Sequence, residues 1–261
     1  MTNRIDSLFA AKCQNILSVY FTAGYPQPDD TVAIIRELAA QGADMVEVGI
    51  PFSDPMADGP VIQQSGAIAL KNGMTLSKLF SQLEGIRSSV SLPLIMMGYL
   101  NPVMQFGIET FCRRCGEVGV DGVIIPDLPF KGYMSQFKAL GSKYGVRFIM
   151  LITPETSDER IRLIDDNTSG FIYMVSTAST TGAKERFDEN TLAYFRRIDA
   201  MKLRNPRLIG FGISNKATLN AAFANAGGAI IGSEFIRLLG AAPSVADAVA
   251  ELMKKILNSE F

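Results

Sequence analysis

Short apolar runs alternate with segments of helical periodicity along almost the whole chain, and this alternation restricts the fold more than any other feature. The runs are rich in β-branched residues and lack the polar alternation of strands with one solvated face, which is typical of parallel strands covered on both faces. We predict eight strands, at residues 16–22, 45–50, 93–97, 122–125, 147–152, 171–175, 207–211 and 229–231.

Helical periodicity fills the segments between and beyond these strands. Apolar residues recur at three- or four-residue spacing, as at Leu76, Leu79 and Leu83, and glycine or asparagine often follows the last of them. Ser157 and Ser214 are candidate N-caps of the helices after them. We predict helices at residues 5–12, 31–41, 61–70, 76–89, 108–118, 132–144, 158–166, 190–201, 216–225, 234–239 and 245–257.

Eight strands that alternate with helices in 261 residues predict a (β/α)8 barrel, the TIM barrel. An open doubly wound sheet is the alternative, but such sheets usually stop at about five or six strands. The helices at 5–12 and 234–239 are extra to the repeating units. Since no linker or change of composition divides the chain, we expect residues 1–261 to form one α/β domain, with an N-terminal extra helix and a short extra helix after strand 8.

The composition excludes several kinds of site and partner. The sequence has no histidine, which excludes a histidine base and histidine-ligated metals. The formal net charge is -1 and no basic stripe is present, so we expect no nucleic-acid partner. No apolar run approaches the ~20 residues of a membrane span, and the polar N-terminus lacks a secretion signal. We therefore expect a cytoplasmic protein with no membrane partner.

Two of the three cysteines, Cys112 and Cys115, have C-x-x-C spacing. This spacing occurs in redox and zinc motifs. The pair lies inside a predicted helix rather than at a strand-to-helix turn, and no further ligands accompany it. We interpret these residues as ordinary reduced thiols and expect no metal site.

Two carboxylates mark the second strand and the loop after it. Glu47 interrupts an apolar strand, and Asp58 belongs to a loop rich in proline and glycine. A buried ionisable group is unfavourable unless it is paired or used, so Glu47 belongs either to a structural ion pair or to a functional site. The carboxyl ends of the strands carry the active site in a (β/α)8 barrel, which favours the functional interpretation.

Glycine-rich turns follow the predicted strands 7 and 8, at Gly210 and Gly212 and at Gly232 and Ser233. Turns at these two strands, with a short helix starting at Ser233, form the usual phosphate site of this barrel. Glycine lets the backbone approach phosphate oxygens, and free N–H groups at a helix start favour anions. Tight turns alone would also explain the glycines, but their place after both strands favours phosphate binding.

Several motifs stand at or just after the predicted strand ends. They are EVGIPFSDPMADGPVIQ at 47–63, YLNP at 99–102, DLP at 127–129, TGA at 181–183, GFGIS at 210–214 and GS at 232–233. Together they resemble the tryptophan synthase α subunit family across essentially the whole chain. The resemblance implies a lyase of tryptophan biosynthesis that splits indole-3-glycerol phosphate into indole and glyceraldehyde 3-phosphate, without a metal or cofactor. It also implies a pyridoxal-phosphate-dependent β subunit as partner in an α2β2 heterotetramer, which receives indole through a tunnel.

Retro-aldol cleavage requires a proton for the indole carbon and a base for the side-chain hydroxyl. By resemblance Glu47 has this acid–base role, and we expect desolvation to raise its pKa toward neutrality. We expect Asp58, on a more solvated loop, to stay ionised and to hold the indole N–H. The resemblance implies further substrate contacts at Tyr20, Ile62, Tyr99, Asp127, Tyr173, Thr181 and Phe211. For Tyr20, Ile62, Tyr99 and Phe211, ordinary core packing is the alternative. It places the phosphate at Gly182, Gly212, Gly232 and Ser233.

Asp54, Asn101 and Pro129 match family positions near the β subunit, and we expect them on loops at the face that carries the chemistry. Ordinary turn residues are the alternative for each. The loop after strand 6 departs from the family's Ser-Arg-x-Gly-Val-Thr-Gly pattern, since Thr177 and Ser179 replace the arginine and the first glycine. This departure bears on loop closure and partner signalling more than on chemistry.

Three other functions remain open on the sequence. The first is a stand-alone lyase that releases indole. The second is a catalytically weak paralogue that binds and activates a β subunit, against which the presence of both Glu47 and Asp58 argues. The third is another phosphate-binding barrel enzyme, such as a sugar-phosphate epimerase or isomerase. Those enzymes commonly use histidines, metals or paired aspartates, so the lack of histidine counts against this function.

Overall fold

A computed structural model describes residues 3–176 and 186–257, and within them eight parallel strands close into a barrel. Each strand pairs with the next one along the chain, and the last pairs with the first. The predicted (β/α)8 barrel is confirmed, and each predicted strand end lies within one residue of the observed one. The strands are β1 Ile16–Thr22, β2 Met45–Gly49, β3 Leu94–Met97, β4 Gly122–Ile124, β5 Arg147–Ile152, β6 Ile172–Val175, β7 Arg207–Gly210 and β8 Gly228–Ile231.

Helices cover the outside of the barrel, and none of those in the described residues is long and apolar enough to cross a membrane. Most have one buried apolar side that packs against the strands. They are α1 Arg4–Ala11, α2 Thr31–Ala40, α3 Pro60–Lys71, α4 Leu76–Leu83, α5 Leu100–Phe106, α6 Ile108–Val118, α7 Phe130–Gly132, α8 Lys138–Tyr144, α9 Asp158–Asn167, α10 Glu189–Ala200, α11 Lys216–Asn225, α12 Ser233–Ala241 and α13 Val245–Leu257.

Two predicted helices differ in their extent. The helix predicted at 76–89 ends at Leu83, because Gly85 adopts a left-handed φ of 75° and only a 3₁₀ turn follows, at Ile86–Ser88. The helix predicted at 132–144 begins earlier, as α7, and a π-helical turn at Tyr133–Phe137 joins it to α8.

Two details of the loops were predicted wrongly. Helix α5 was not predicted, so Asn101 lies in its first turn rather than on a loop. Ser157 caps α9 as predicted, by accepting a hydrogen bond from the N–H of Arg160. Ser214 is not the cap of α11, because Asn215 takes that place in a reciprocal capping box with Thr218.

The N-terminal helix α1 closes the end of the barrel opposite the strand carboxyl ends. Its Ile5 is fully buried, and a Cβ added at Gly122 of β4 would lie 2.8 Å from the Ile5 Cδ1 atom. Asp121, just before β4, accepts hydrogen bonds from the guanidinium of Arg87 and the backbone N–H of Leu94. This end is therefore filled and cross-linked, and the open mouth lies at the strand carboxyl ends.

Candidate active site

Glu47 lies in β2 and points into the barrel, where it is 0 % exposed. The hydroxyl of Ser18, on β1, donates a hydrogen bond to Oε1 of Glu47 at 2.8 Å. The other oxygen, Oε2, is buried and has no hydrogen-bond partner among the described residues. Burial raises the pKa of Glu47 to about 8, although the hydrogen bond from Ser18 opposes the rise. At neutral pH this side chain is therefore mostly a neutral acid.

Asp58 lies on the loop between β2 and α3, and the expectation of a solvated carboxylate there was wrong. The residue is 8 % exposed, and burial raises its pKa to about 6. The phenol of Tyr99 donates a hydrogen bond to Oδ2 of Asp58 at 3.0 Å, which opposes that rise, and accepts one from the N–H of Ala57 at 2.9 Å. Asp58 is still mostly ionised at pH 7, since that pH lies about one unit above its pKa.

A small cavity of about 40 Å³ lies at the barrel mouth. This volume is far below that of a typical ligand pocket, about 300–1,000 Å³, so lining side chains must move for a ligand to enter. Seven of the lining residues were predicted site residues, and they are Tyr20, Asp58, Ile62, Tyr173, Phe211, Gly232 and Ser233. Met97 and Ile230 complete the lining and were missed, because apolar residues at strand ends are indistinguishable from core in the sequence.

Some predicted site residues lie elsewhere. Tyr99 does not line the cavity and instead contacts Asp58. Asp127 is exposed, and its Oδ1 accepts a hydrogen bond from the N–H of Leu100 at 2.9 Å, which orders the start of α5. Thr181 and Gly182 lie outside the described residues, as does the unusual segment 177–180.

The phenols of Tyr20 and Tyr173 face the cavity from β1 and β6. Burial raises the pKa of each well above its ordinary value, and the nearby carboxyls of Glu47 and Asp58 raise it further. Both residues are therefore neutral phenols, which add polar groups to the cavity without adding charge.

The backbone after β7 is strained. Phe211 and Gly212 both have left-handed φ values, 68° and 71°, and a non-glycine residue in this region costs about 1–3 kcal/mol. The hydroxyl of Ser176 donates a hydrogen bond to the Phe211 carbonyl at 2.7 Å, and the Phe211 ring meets that of Tyr173 edge-on at 6.1 Å. Such strain is concentrated at functional sites, and here it turns Phe211 toward the cavity.

The N-terminus of α12 reaches the same cavity through Gly232 and Ser233. The N-cap of this helix is Gly232, and within the described residues no side chain caps the first N–H groups, so they can bind an anion. A Cβ at Gly232 would lie 3.3 Å from the Tyr20 ring, so glycine allows a close approach there. Gly212, also predicted for phosphate binding, does not line the cavity.

Glu234, in the first turn of α12, was missed by sequence reasoning. It is only 7 % exposed, and its carboxylate pairs with Lys255 of α13 at 2.5 Å and with Arg237 at 3.1 Å. These two cations compensate a negative charge that would otherwise stand beside the candidate phosphate site. The spacing of Glu234 and Arg237 is helical, but the partner on α13 could not be found in the sequence.

Exposed residues surround the mouth on the side of β2, β3 and β4. Asp54, Asn101 and Pro129, the predicted interface residues, are all exposed. Two large apolar side chains lie near them in the chain, with Met56 93 % exposed and Met104 56 % exposed. Two large exposed apolar side chains therefore lie on the same elements as the predicted interface residues.

Cys112 and Cys115 are both buried in α6, and their thiols are reduced. Burial raises the pKa of Cys112 to about 11 and that of Cys115 well above its ordinary value, so neither is a reactive thiolate. In the part of the chain that the structure describes, no three histidine, cysteine or acidic side chains are grouped so as to hold a metal ion.

Comparison with known proteins gives the family. The family model "Tryptophan synthase alpha chain" matches residues 8–260. The chain belongs to the tryptophan synthase alpha chain family.

Relatives in this family match over almost their full lengths. The tryptophan synthase alpha chain of Parabacteroides distasonis is 60% identical over 254 residues, which cover 97% of this chain and 99% of the relative. That of Bacteroides fragilis is 57% identical over 256 residues, with 98% and 97% covered.

Solved structures share the fold. Tryptophan synthase subunit alpha from Legionella pneumophila superposes with a TM-score of 0.86 at 33% identity, with 98% of this chain and 96% of that chain covered. Tryptophan synthase from M. tuberculosis in an aminoacrylate-bound form gives 0.84 at 25% identity, with 97% and 98% covered.

Proposed function

We propose that this protein is the α subunit of tryptophan synthase and cleaves indole-3-glycerol phosphate to indole and glyceraldehyde 3-phosphate. The observation that carries the proposal is the pair of buried carboxyls from β2 and its loop, with pKa values of about 8 and about 6. Near pH 7 one is mostly neutral and the other mostly ionised. Asp58 lines the cavity at the barrel mouth and Glu47 lies beneath it, paired in register with the lining residue Tyr20, so the site offers an acid and an anion. Membership of the family supports the assignment.

The substrate would lie with its indole among the cavity's aromatic and apolar side chains and its phosphate at the N-terminus of α12. Neutral Glu47 donates its proton to the indole carbon that bears the glycerol chain. The positive charge that develops on the ring is stabilised by Asp58, which accepts the hydrogen bond of the ring N–H.

In the cleavage step, Glu47 regains a proton from the substrate. Glu47, now a carboxylate, takes the proton of the adjacent side-chain hydroxyl, and the O–H electron pair forms the aldehyde C=O. The carbon–carbon bond breaks, and its electron pair restores the aromatic indole. Glu47 ends neutral, as it began, so the cycle consumes no proton and uses no oxidant or metal.

A β subunit is the proposed partner. The exposed residues Asp54, Asn101 and Pro129, with Met56 and Met104, lie on elements that follow β2, β3 and β4 and thus surround the mouth. A partner on this surface would order the loop that carries Asp58, and loop ordering of this kind completes many active sites. We expect slow turnover alone, a large increase when a matching β subunit is added, and a smaller increase for Asp54→Ala.

The test is indole release from indole-3-glycerol phosphate by the purified protein, with and without a β subunit and with a strong chelator present. Release that persists in chelator supports the proposal. If no indole forms under any of these conditions, the proposal fails, and activation of the β subunit without release would indicate a catalytically weak paralogue. Equally fast release with and without the partner would indicate a stand-alone lyase. Loss in chelator that zinc or magnesium reverses would indicate a metal-dependent barrel enzyme.

A further inference from the structure

Besides Glu47, the inside of the barrel below the cavity contains a buried serine that the proposed mechanism does not use. Ser18 lies in β1 and is 0 % exposed. In the register of β1 and β2, Tyr20 is opposite Glu47, and Ser18 precedes Tyr20 by two residues. Side chains two apart on a strand share a face, so Ser18, Tyr20 and Glu47 all point into the barrel.

The contact between Ser18 and Glu47 is asymmetric. Ser18 Oγ donates to Oε1 at 2.8 Å, whereas Oε2 has no partner among the described residues. An oxygen that already accepts a hydrogen bond from a hydroxyl is the poorer place for the acid's own proton, because the two hydrogens would compete for the same region. The proton of neutral Glu47 is therefore favoured on Oε2, the oxygen left free.

We propose that Ser18 is a positioning residue that fixes the acid proton of Glu47 on Oε2 and holds the carboxyl in one orientation for proton transfer. The inference rests on the proposed function, since it concerns the acid of that reaction. An acid whose proton is distributed over two oxygens spends part of its time in an unproductive form. Ser18 acts through Glu47, and both side chains lie beneath the cavity rather than among the residues that line it.

Among the described residues, Ser18 is the one side chain that forms a hydrogen bond with the Glu47 carboxyl. The titratable groups near Glu47 are the phenols of Tyr20 from β1 and Tyr173 from β6, whose pKa values the carboxyls of Glu47 and Asp58 raise. The pKa of Glu47 itself is raised by burial and lowered by the hydrogen bond from Ser18. From β3, the residue paired with Glu47 is the apolar Ile95. Glu47 forms no ion pair within the described residues. The hydrogen bond from Ser18 stabilises the carboxylate and lowers the pKa of Glu47, so its loss raises that pKa.

The experiment measures the titration of Glu47 directly and then the kinetics. Infrared difference spectroscopy follows the C=O band of the neutral buried carboxyl, assigned by its absence in Glu47→Gln. We expect Ser18→Ala to raise the midpoint of this titration by ~1–2 pH units, the effect of one hydrogen bond to a charged group. We also expect kcat for indole release to fall on the order of tenfold with KM nearly unchanged, because the proton is misplaced but the cavity is intact.

Two further variants complete the design. Ser18→Cys keeps a weak donor of similar size, so it gives an intermediate midpoint and serves as the test if Ser18→Ala folds poorly. The matched control is Ser65→Ala, which removes another buried serine hydroxyl, bonded to Thr22 of the same strand at 2.7 Å but not to Glu47. We expect Ser65→Ala to leave the Glu47 titration unchanged.

An unchanged midpoint in both Ser18 variants overturns the proposal, as does a shift in Ser65→Ala as large as that in Ser18→Ala. An unchanged kcat in Ser18→Ala overturns it as well. The infrared titration requires no substrate. A wild-type protein that releases no indole therefore refutes the proposed function while the spectra still decide the effect of Ser18.

Discussion

Replacing Tyr99 by phenylalanine removes one hydroxyl that joins two parts of the candidate site. That hydroxyl donates to Asp58 at 3.0 Å and accepts from the N–H of Ala57 at 2.9 Å. A hydrogen bond to a charged group contributes about 1.5–3 kcal/mol, and one pKa unit corresponds to about 1.4 kcal/mol. The loss is therefore expected to raise the pKa of Asp58 by ~1–2 units from about 6.

The consequence is a narrower pH range of activity. The reaction needs Asp58 ionised and Glu47 neutral, so kcat/KM falls below a pH of about 6 and above a pH of about 8 in the wild type. In Tyr99→Phe the fall of kcat/KM on the acid side of the pH profile moves to roughly pH 7–8, while the fall on the alkaline side stays near pH 8. The maximum value of kcat/KM therefore decreases. At pH 7 the ionised fraction of Asp58 drops from about nine-tenths to between about a half and a tenth.

The assay is the initial rate of indole formation across the pH range for wild type, Tyr99→Phe and Tyr133→Phe. The last variant is the matched control, because it removes a buried tyrosine hydroxyl that donates to the carbonyl of Asn167 at 3.0 Å, away from the site. Ionisation of the substrate phosphate affects all three proteins equally. An acid limb at the same pH in Tyr99→Phe and wild type would refute the assigned link between Tyr99 and Asp58.

Three further predictions concern stability and phosphate binding. The pKa of Glu47 is raised from 4.5 to about 8 in the folded state, so between these pH values the folded protein keeps a proton that the unfolded chain releases. The contribution of Glu47 to stability is therefore fully present below about pH 4.5, falls as the pH rises, and is lost once the pH has passed through about 8. Glu47→Gln should thus be more stable than wild type at pH 9, by an amount on the order of 5 kcal/mol, and nearly equal to it at pH 4, as measured by chemical unfolding. Gly212→Val forces a β-branched residue into a φ of 71°, so we expect a loss of about 1–2 kcal/mol in unfolding free energy and a higher KM; an unchanged melting temperature would contradict this. Lys255→Met removes one of the cations that balance the negative charge of Glu234 beside the start of α12. We therefore expect weaker inhibition by glycerol phosphate in Lys255→Met, and inhibition restored to the wild-type level when Glu234→Gln is added. Equal inhibition constants in all three proteins would contradict this prediction.

The barrel could be predicted from the sequence because its information is local. Each strand is a short apolar run, and each strand end falls near a glycine, a proline or a polar residue, so the strand ends were found within one residue. Glu47 could be identified from the sequence because a carboxylate is rare inside an apolar strand.

Features that depend on distant contacts could not be predicted. Asp58 was expected to be solvated because its loop is polar, but Tyr99 reaches it from 41 residues away and covers it. Helix α5 has only seven residues, with a proline in its first turn, which is too short for its periodicity to stand out, and its start is ordered by Asp127 from the next strand end. The ion pair of Glu234 with Lys255 spans 21 residues and two helices. In each case the deciding partner is set by the closed barrel rather than by neighbouring residues.

The central claim is that Glu47 both gives and takes the proton in cleavage of indole-3-glycerol phosphate. The most direct test is the turnover number of Glu47→Gln for indole release, with Asp58→Asn alongside and the fold checked by circular dichroism and thermal melting. We expect a fall of at least ~10²-fold in each variant, because removing a positioned proton-transfer group typically has this effect, together with an intact fold and retained binding of glycerol phosphate. Near-normal turnover in a folded Glu47→Gln protein would contradict the account.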